Sequence, residues 1–233
     1  MDEQLRQQQD SYDRTWEAGL EAGKEQRGNL NVNLEFVERV GVIAAGMRVL
    51  EVGCGIGSVI SEICGRGCAG VGTDISNKAI EYGKGKYPGV DLRVGAAEKL
   101  EFEDGTFDVV MSFDVLEHLH EVDEHLKEVS RVLAAGGYYI LQTPNKYVNS
   151  VYETMKTKSL AWKQYHPSLH SAGQLRARFK KHGFEVRFVK MNTVNEFSLK
   201  KIKSSFVRGV VGSIDFTKLP LFMQTNFYVV ARK

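Results

Sequence analysis

Three glycines, Gly53, Gly55 and Gly57, stand at alternate positions in the stretch Arg48 to Ser58, two residues after Glu51. A turn this bare permits backbone conformations closed to other residues and lets a ligand approach the main chain without a Cβ in the way. A helix that opens near Ser58 adds amide donors aimed at the same place. Roughly twenty residues on, the next apolar run ends at Asp74. There a carboxylate can accept both hydroxyls of a ribose, so the loop and the acid together fit an adenosine-containing cofactor. A dinucleotide fingerprint would need glycine where Ser58 stands, and that weakens a nicotinamide reading.

Two histidine-bearing stretches carry the remaining chemistry. Asp114, Glu117 and His118 are spaced i, i+3, i+4, which places them on one helical face, and His166 and His170 flank a short proline-containing segment. The first set, with a distant histidine, has the oxygen and nitrogen donors of a metal site, but no metal is assigned to it. Cys54, Cys64 and Cys68 are an odd, small set. They make no disulfide framework, and the C-x-x-x-C pair lacks a third ligand for an iron–sulfur cluster.

These residues need a scaffold, and the apolar pattern supplies it. Short runs at 48–52, 69–74, 90–94, 107–113 and 138–143 lack polar alternation, as strands buried on both faces of a parallel sheet do. Helical stretches lie between several of them, which predicts an α/β domain with right-handed crossovers. Runs at 185–191 and 227–233 predict an antiparallel pair at the end of the sheet. Leu30, Leu34, Val37 and Val40 form one helical stripe, so residues 1–45 read as an N-terminal helical cap and 46–233 as the main domain. Long insertions occupy 144–171 and 192–226. In the second, Leu199, Ile202, Phe206 and Val210 lie opposite Lys200, Lys201, Lys203 and Arg208, a basic amphipathic helix over 197–214 that suits a lid or a membrane surface.

In combination these motifs resemble the class I S-adenosylmethionine-dependent methyltransferases, in the small-molecule branch that includes the ubiquinone-type O-methyltransferases. The loop with its following "GVGTDIS", the stretch "LEFEDGTFDVVMSFDVLEHL" and "LKEVSRVLAAGGYYILQTPN" carry the resemblance, over about residues 46 to 145. It implies a Rossmann-like α/β/α sandwich with a seven-stranded sheet of order 3-2-1-4-5-7-6, the last strand antiparallel. It also implies roles. Glu51 and the backbone of Gly53, Gly55 and Gly57 would face the methionine portion of S-adenosylmethionine, Asp74 the ribose and Ile75 the adenine face. Ala96 and Ala97 would stand beside the adenine, with Ala96 in place of the usual acid. Ser112 and Phe113 would line the methyl-transfer site. Apart from the resemblance, Tyr12 and Trp16 lie one helical turn apart: Tyr12 suits either a place over the cationic sulfur, where an aromatic ring contributes about 0.5–2 kcal/mol, or packing of the N-terminal helix, and Trp16 the packing role.

Methyl transfer is an in-line displacement that needs alignment and exclusion of water, and a base only when the nucleophile arrives protonated. For a hydroxyl the candidates are His170, then His166, then His118, the first two because the 144–171 insertion resembles the family's acceptor-side region. The expected activity is transfer of a methyl group to a small-molecule acceptor, with S-adenosyl-L-homocysteine as the product. Three alternatives stand beside it: a metal-assisted RNA 2′-O-methyltransferase, a nicotinamide-dependent oxidoreductase and a non-catalytic cofactor-binding protein. The net charge of +2 over 233 residues counts against a nucleic-acid partner. The polar N-terminus and the absence of a long apolar run predict a cytoplasmic protein.

Overall fold

The computed structural model describes residues 3–25, 29–193 and 204–233. Its sheet has seven strands in the order β3-β2-β1-β4-β5-β7-β6. They are β1 (Arg48–Val52), β2 (Ala69–Asp74), β3 (Asp91–Val94), β4 (Phe107–Phe113), β5 (Leu133–Pro144), β6 (Glu185–Val189) and β7 (Asn226–Arg232). Strands β1 to β5 pair in parallel, and β7 runs antiparallel to both β5 and β6. The expected architecture and strand order are those observed.

The apolar runs are continuous because both faces of the central strands are covered. Leu50 and Val52 point into a core shared with Leu126 and Val129 of α5 (Val122–Val132) and with Phe179 of α7 (Ala172–Lys181). Val49 points the other way, into a core shared with Phe36 of α2 (Leu30–Val40) and Ile60 of α3 (Ser58–Gly65). This is the two-residue strand period sorted onto two helical layers. β5 is longer than the 138–143 run predicts. It starts at Leu133 and absorbs an irregular register against Phe107 and Val109, with Gly136 at φ 75°.

Two further helices hold the loops in place. Ser76 caps α4 (Asn77–Lys86), accepting from the amide of Ala79 at 3.1 Å. Helix α1 (Glu3–Glu21) lies against it. Asp13 accepts from the Ser76 hydroxyl at 2.6 Å and the Lys78 amide at 3.1 Å, and Gln9 donates to the carbonyl of Ile75 at 2.8 Å. The N-terminal helix is thereby tied to the end of β2.

The 144–171 segment contains α6 (Lys146–Thr157) and a short turn of helix, Ala161–Gln164. Of the basic amphipathic helix expected over 197–214, Leu199, Lys200, Lys201, Ile202 and Lys203 lie outside the described residues. The described part forms α8 (Ser205–Ser213), in which Val210 is exposed. Among the described residues no helix is long and apolar enough to cross a membrane.

Candidate active site

The carboxyl ends of β1, β2 and β4 open onto a cleft in two halves that meet at Gly53 and Asp114. This is where an open parallel sheet offers its ligand site. One half has about 480 Å³ of empty space and is lined by Tyr12, Asp74, Ile75, Ala97, Glu98 and His118. The other, of about 450 Å³, is lined by Trp16, Glu25, Asn33, Glu51, Ser58 and Phe113.

The glycine turn is shaped by packing as much as by access. Gly53, Gly55 and Gly57 all have positive φ. A Cβ on Gly53 would lie 2.3 Å from Val115 Cγ2, one on Gly55 2.5 Å from Trp16 Cζ2, and one on Gly57 2.8 Å from Leu92 Cδ2. Val115 and Trp16, which line the cleft, and the buried Leu92 leave the turn no room for side chains. Trp16 is buried with Ile56 and Ala79, which is the packing role expected of it.

Asp74 is the stitch that closes the turn. One carboxylate oxygen accepts from the Gly55 amide at 2.7 Å and the other from the Ser76 amide at 2.9 Å, with the side chain 6% exposed. The amides of Gly53 and Cys54 both donate to the carbonyl of Thr73. Glu51, equally buried, accepts from the Ile60 amide at 2.9 Å in the first turns of α3. Both acids thus hold backbone donors while lining the cleft.

Asp114 stands between the two halves in the left-handed region, at φ 55°. That conformation is strained for a residue with a Cβ, and such strain persists where the surroundings fix it. Its amide donates to the Gln142 side chain at 3.0 Å and the Gln142 carbonyl at 3.2 Å, and its carboxylate accepts from Asn29 at 3.3 Å.

The histidines separate. His118 lines the cleft, edge-on to Tyr12 at 6.0 Å between ring centroids. Its Nδ1 is 2.7 Å from the carbonyl of Tyr165. A carbonyl only accepts, so Nδ1 carries the proton of the neutral ring and Nε2 the lone pair. Glu117 Oε1 lies 3.9 Å from Nε2. His166 packs behind His118 at 4.9 Å, and burial lowers its pKa. His170, first in the sequence expectation, does not reach the cleft. It lines an open depression with Gln174, Arg178 and Lys181, and burial lowers its pKa also. The residue that follows Pro144 accounts for this, because Asn145 bridges to the His170 backbone and draws it beneath the start of α6.

Two other expectations shift. Ser112 does not line the cleft. It is fully buried and 2.6 Å from the Tyr139 hydroxyl, on the opposite face of β4 from Phe113. Ala96 is absent from the lining, while Ala97 and Glu98 are present. Glu98 was not among the sequence candidates, although an acid two residues after the missing one was the available signal.

Behind the wall of the cleft lies a polar chain that the sequence does not announce. His125 Nδ1 is 2.8 Å from the carbonyl of Ala97, and Nε2 is 2.8 Å from the Tyr139 hydroxyl. The carbonyl fixes the proton on Nδ1, so Tyr139 donates to Nε2 and accepts from Ser112. Every member is satisfied in one direction only. Burial pushes the His125 pKa down to about 4 and raises that of Tyr139.

The set Asp114, Glu117 and His118 is committed to protein partners. Glu117 accepts from Thr143 at 3.1 Å, Asp114 from Asn29 and His118 holds Tyr165. Among the described residues no group of three or more His, Cys, Asp and Glu is arranged to hold a metal ion.

Electrostatics sort the ligands this cleft suits. Its two halves carry Glu25, Glu51, Asp74, Glu98 and Asp114, and among the described lining residues there is no lysine or arginine. Such a lining attracts a cation and opposes a pyrophosphate.

Comparison with known proteins agrees with this geometry. Residues 50–141 match the family model described as a methyltransferase domain. A protein of Mycolicibacterium smegmatis named as a probable S-adenosylmethionine-dependent methyltransferase is 31% identical over 152 residues, covering 64% of this chain and 56% of that protein. A ubiquinone biosynthesis O-methyltransferase of Pelagibacter ubique is 32% identical over 108 residues, 45% of each chain. The chain therefore spans about half the length of the curated relatives it matches. Among solved structures, an S-adenosylmethionine-dependent methyltransferase of Mesorhizobium loti superposes with a TM-score of 0.65 at 18% identity, covering 85% of this chain and 96% of that one. At that identity the likeness concerns the fold.

Proposed function

We propose, from the premise that residues 50–141 belong to the class I S-adenosylmethionine-dependent methyltransferases, that this protein methylates a hydroxyl oxygen of a small-molecule acceptor. The observation that carries the reading is the two-part cleft built around Gly53 and Asp114, whose lining sets five acids among apolar and neutral residues with no lysine or arginine among the described ones. S-adenosylmethionine is a cation with an adenosine at one end and an amino acid at the other, and both its charge and its shape suit that cleft. The same lining disfavours a nicotinamide dinucleotide, whose pyrophosphate would meet Glu51, Asp74, Glu98 and Asp114, Glu25 being paired with Lys86.

Asp74 and Ile75 would hold the ribose and adenine, with Ala97 and Glu98 on the far wall. Glu51 and the Gly53–Gly57 backbone would take the methionine portion, and Phe113 would bound it. Bound there, S-adenosylmethionine supplies a methyl group on a positively charged sulfur, and departure of the thioether discharges that charge. Tyr12, held over the cleft by the tether of α1 to Ser76 and Ile75, offers an aromatic face to a cation.

His118 is the base in this reading. With its Nδ1 proton fixed on Tyr165, Nε2 accepts the proton of the acceptor hydroxyl as the oxygen attacks, and the nearby Glu117 carboxylate favours the imidazolium that results. Asp114 orients at the junction of the halves. The turn after α6 buttresses this wall, since the Tyr165 carbonyl holds His118 and the Ser168 hydroxyl donates to the carbonyl of Leu119 at 2.5 Å.

The test is transfer from S-adenosylmethionine carrying an isotope-labelled methyl group into a cell metabolite extract, followed by mass spectrometry. Label in a hydroxylated small molecule is the expected result. Label confined to RNA, or none in any fraction, would overturn the proposal.

A further inference from the structure

Eight of the eleven large apolar side chains exposed among the described residues fall in two stretches, 147–165 and 222–223, that Asn145 holds together. Tyr147, Val151 and Met155 follow at i, i+4 and i+8 along α6, with Tyr152 beside them, and each is more than half exposed. Leu160 and Tyr165 continue the face past the helix end. Phe222 and Met223 adjoin it, because Asn145, itself fully buried, donates to the carbonyls of Phe222 and Gln224 at 2.9 and 2.8 Å. No residue of α6 is buried, although its apolar positions recur at helical spacing. The stripe that a surface helix normally turns inward here faces outward.

This outward turn is held by the fold. Asn145 caps α6 through the Tyr147 amide, and the Lys146 amide donates to the carbonyl of His170. The buried Trp162 donates from its ring nitrogen to Thr154 at 2.9 Å, fastening the following turn to the helix. A fastened apolar face of this extent marks an interaction surface.

Charge selects the partner. From Lys146 to Tyr165 there are four lysines and one acid, Glu153, which is largely covered and pairs with Lys156. The asymmetry extends through the chain. Residues 1–145 hold fourteen Lys and Arg against twenty-five Asp and Glu, whereas residues 146–233 hold seventeen against four. The near-zero total conceals a molecule whose cofactor half is acidic and whose other half is basic.

We infer that the α6 face, with Leu160, Tyr165, Phe222 and Met223, docks the protein on an anionic lipid surface. Tyrosine, methionine and branched apolar side chains would enter the boundary between headgroups and acyl chains, and Lys146, Lys156, Lys158 and Lys163 would meet the headgroups. The segment that bears the face also abuts the wall of the cleft, where the Tyr165 carbonyl meets His118 and Ser168 donates to the carbonyl of Leu119. Docking would therefore bring a lipid-borne acceptor beside the proposed base. The docking itself stands on the surface and not on the methyl-transfer reading.

Flotation of the purified full chain with vesicles tests it. Vesicles of phosphatidylcholine containing roughly 30% phosphatidylglycerol should bind the protein at least tenfold more tightly than phosphatidylcholine alone. The double substitution Val151→Glu with Met155→Glu should reduce that binding at least tenfold, and Lys158→Gln or Lys163→Gln by roughly fivefold each. All three variants should keep the wild-type melting temperature and affinity for S-adenosylmethionine. Equal binding to the two vesicle types, no binding to either, or unchanged binding by the double variant would overturn the inference. So would a lipid-free dimer that the double variant dissolves, which would give the face to a second copy of the chain. None of these outcomes depends on turnover, so they are separable from a failure to transfer label.

Discussion

Asp74 holds two backbone amides before it can hold a sugar, and replacing it should show both roles at once. Asp74→Ala removes the acceptors of the Gly55 and Ser76 amides at 2.7 and 2.9 Å in a buried position. A buried donor left unsatisfied costs about 1–3 kcal/mol, more when the lost acceptor was charged. Allowing for relaxation and water entry, the loss of stability should be about 2–5 kcal/mol. Asp74→Asn keeps one acceptor oxygen but turns an amino group toward the other N–H, so its loss should be about half as large or somewhat more. Urea unfolding at pH 7 reads these values. Calorimetric titration of the folded proteins with S-adenosylmethionine should show affinity at least tenfold lower in both variants, about 1.4 kcal/mol or more. Saturating ligand should raise the unfolding midpoint of the wild type and do so much less for Asp74→Asn. Unfolding free energies equal to the wild type would refute the stitch, and unchanged affinity in folded Asp74→Asn would refute the ribose assignment.

Three further predictions concern the histidines and the glycine turn. His118→Ala should lower the rate of methyl transfer by about 10²-fold or more with cofactor affinity within threefold, whereas His170→Ala should destabilise the protein yet leave turnover of the folded enzyme within a few fold; kinetics showing the reverse would return the base role to His170. Burial keeps His125 neutral, with a pKa of about 4 against 6.5 when exposed, so the unfolded chain takes up a proton first as the pH falls. Stability should therefore decline between pH ~6.5 and ~4 by roughly 3 kcal/mol from this group, none of it lost above pH 6.5, and His125→Gln should flatten that part of the profile in pH-dependent unfolding. Gly55→Ala should cost about 1–3 kcal/mol and displace α1, because its Cβ meets Trp16 and its φ is positive. Gly85→Ala in α4, with nothing within 4 Å, should instead stabilise by about 0.5 kcal/mol. Melting temperatures that moved alike would refute the packing account of the turn.

What the sequence determined by itself was set by local pattern. Runs of apolar residues buried on both sides, glycines at alternate positions and an acid at the end of the second strand are covalent neighbours, and their spacing dictates strand, turn and helix without knowledge of the rest. Hence the strands, the helices between them and the glycine turn ending β1 were legible from local pattern, while the strand order came with the family resemblance. Tertiary structure decided what depends on direction. Ser112 and Phe113 differ by one residue and so point to opposite faces of β4, one into the His125–Tyr139 chain and the other into the cleft. His118, His166 and His170 are alike as letters, and only the tertiary path distinguishes them: the short turn after β4 sets the first beside Tyr12, and pairing with Asn145 holds the last at the start of α6. The outward stripe of α6 was invisible for the same reason. Helical spacing shows that an apolar face exists, but which way it turns is fixed by the contacts that hold the helix, here those of Asn145 and Trp162.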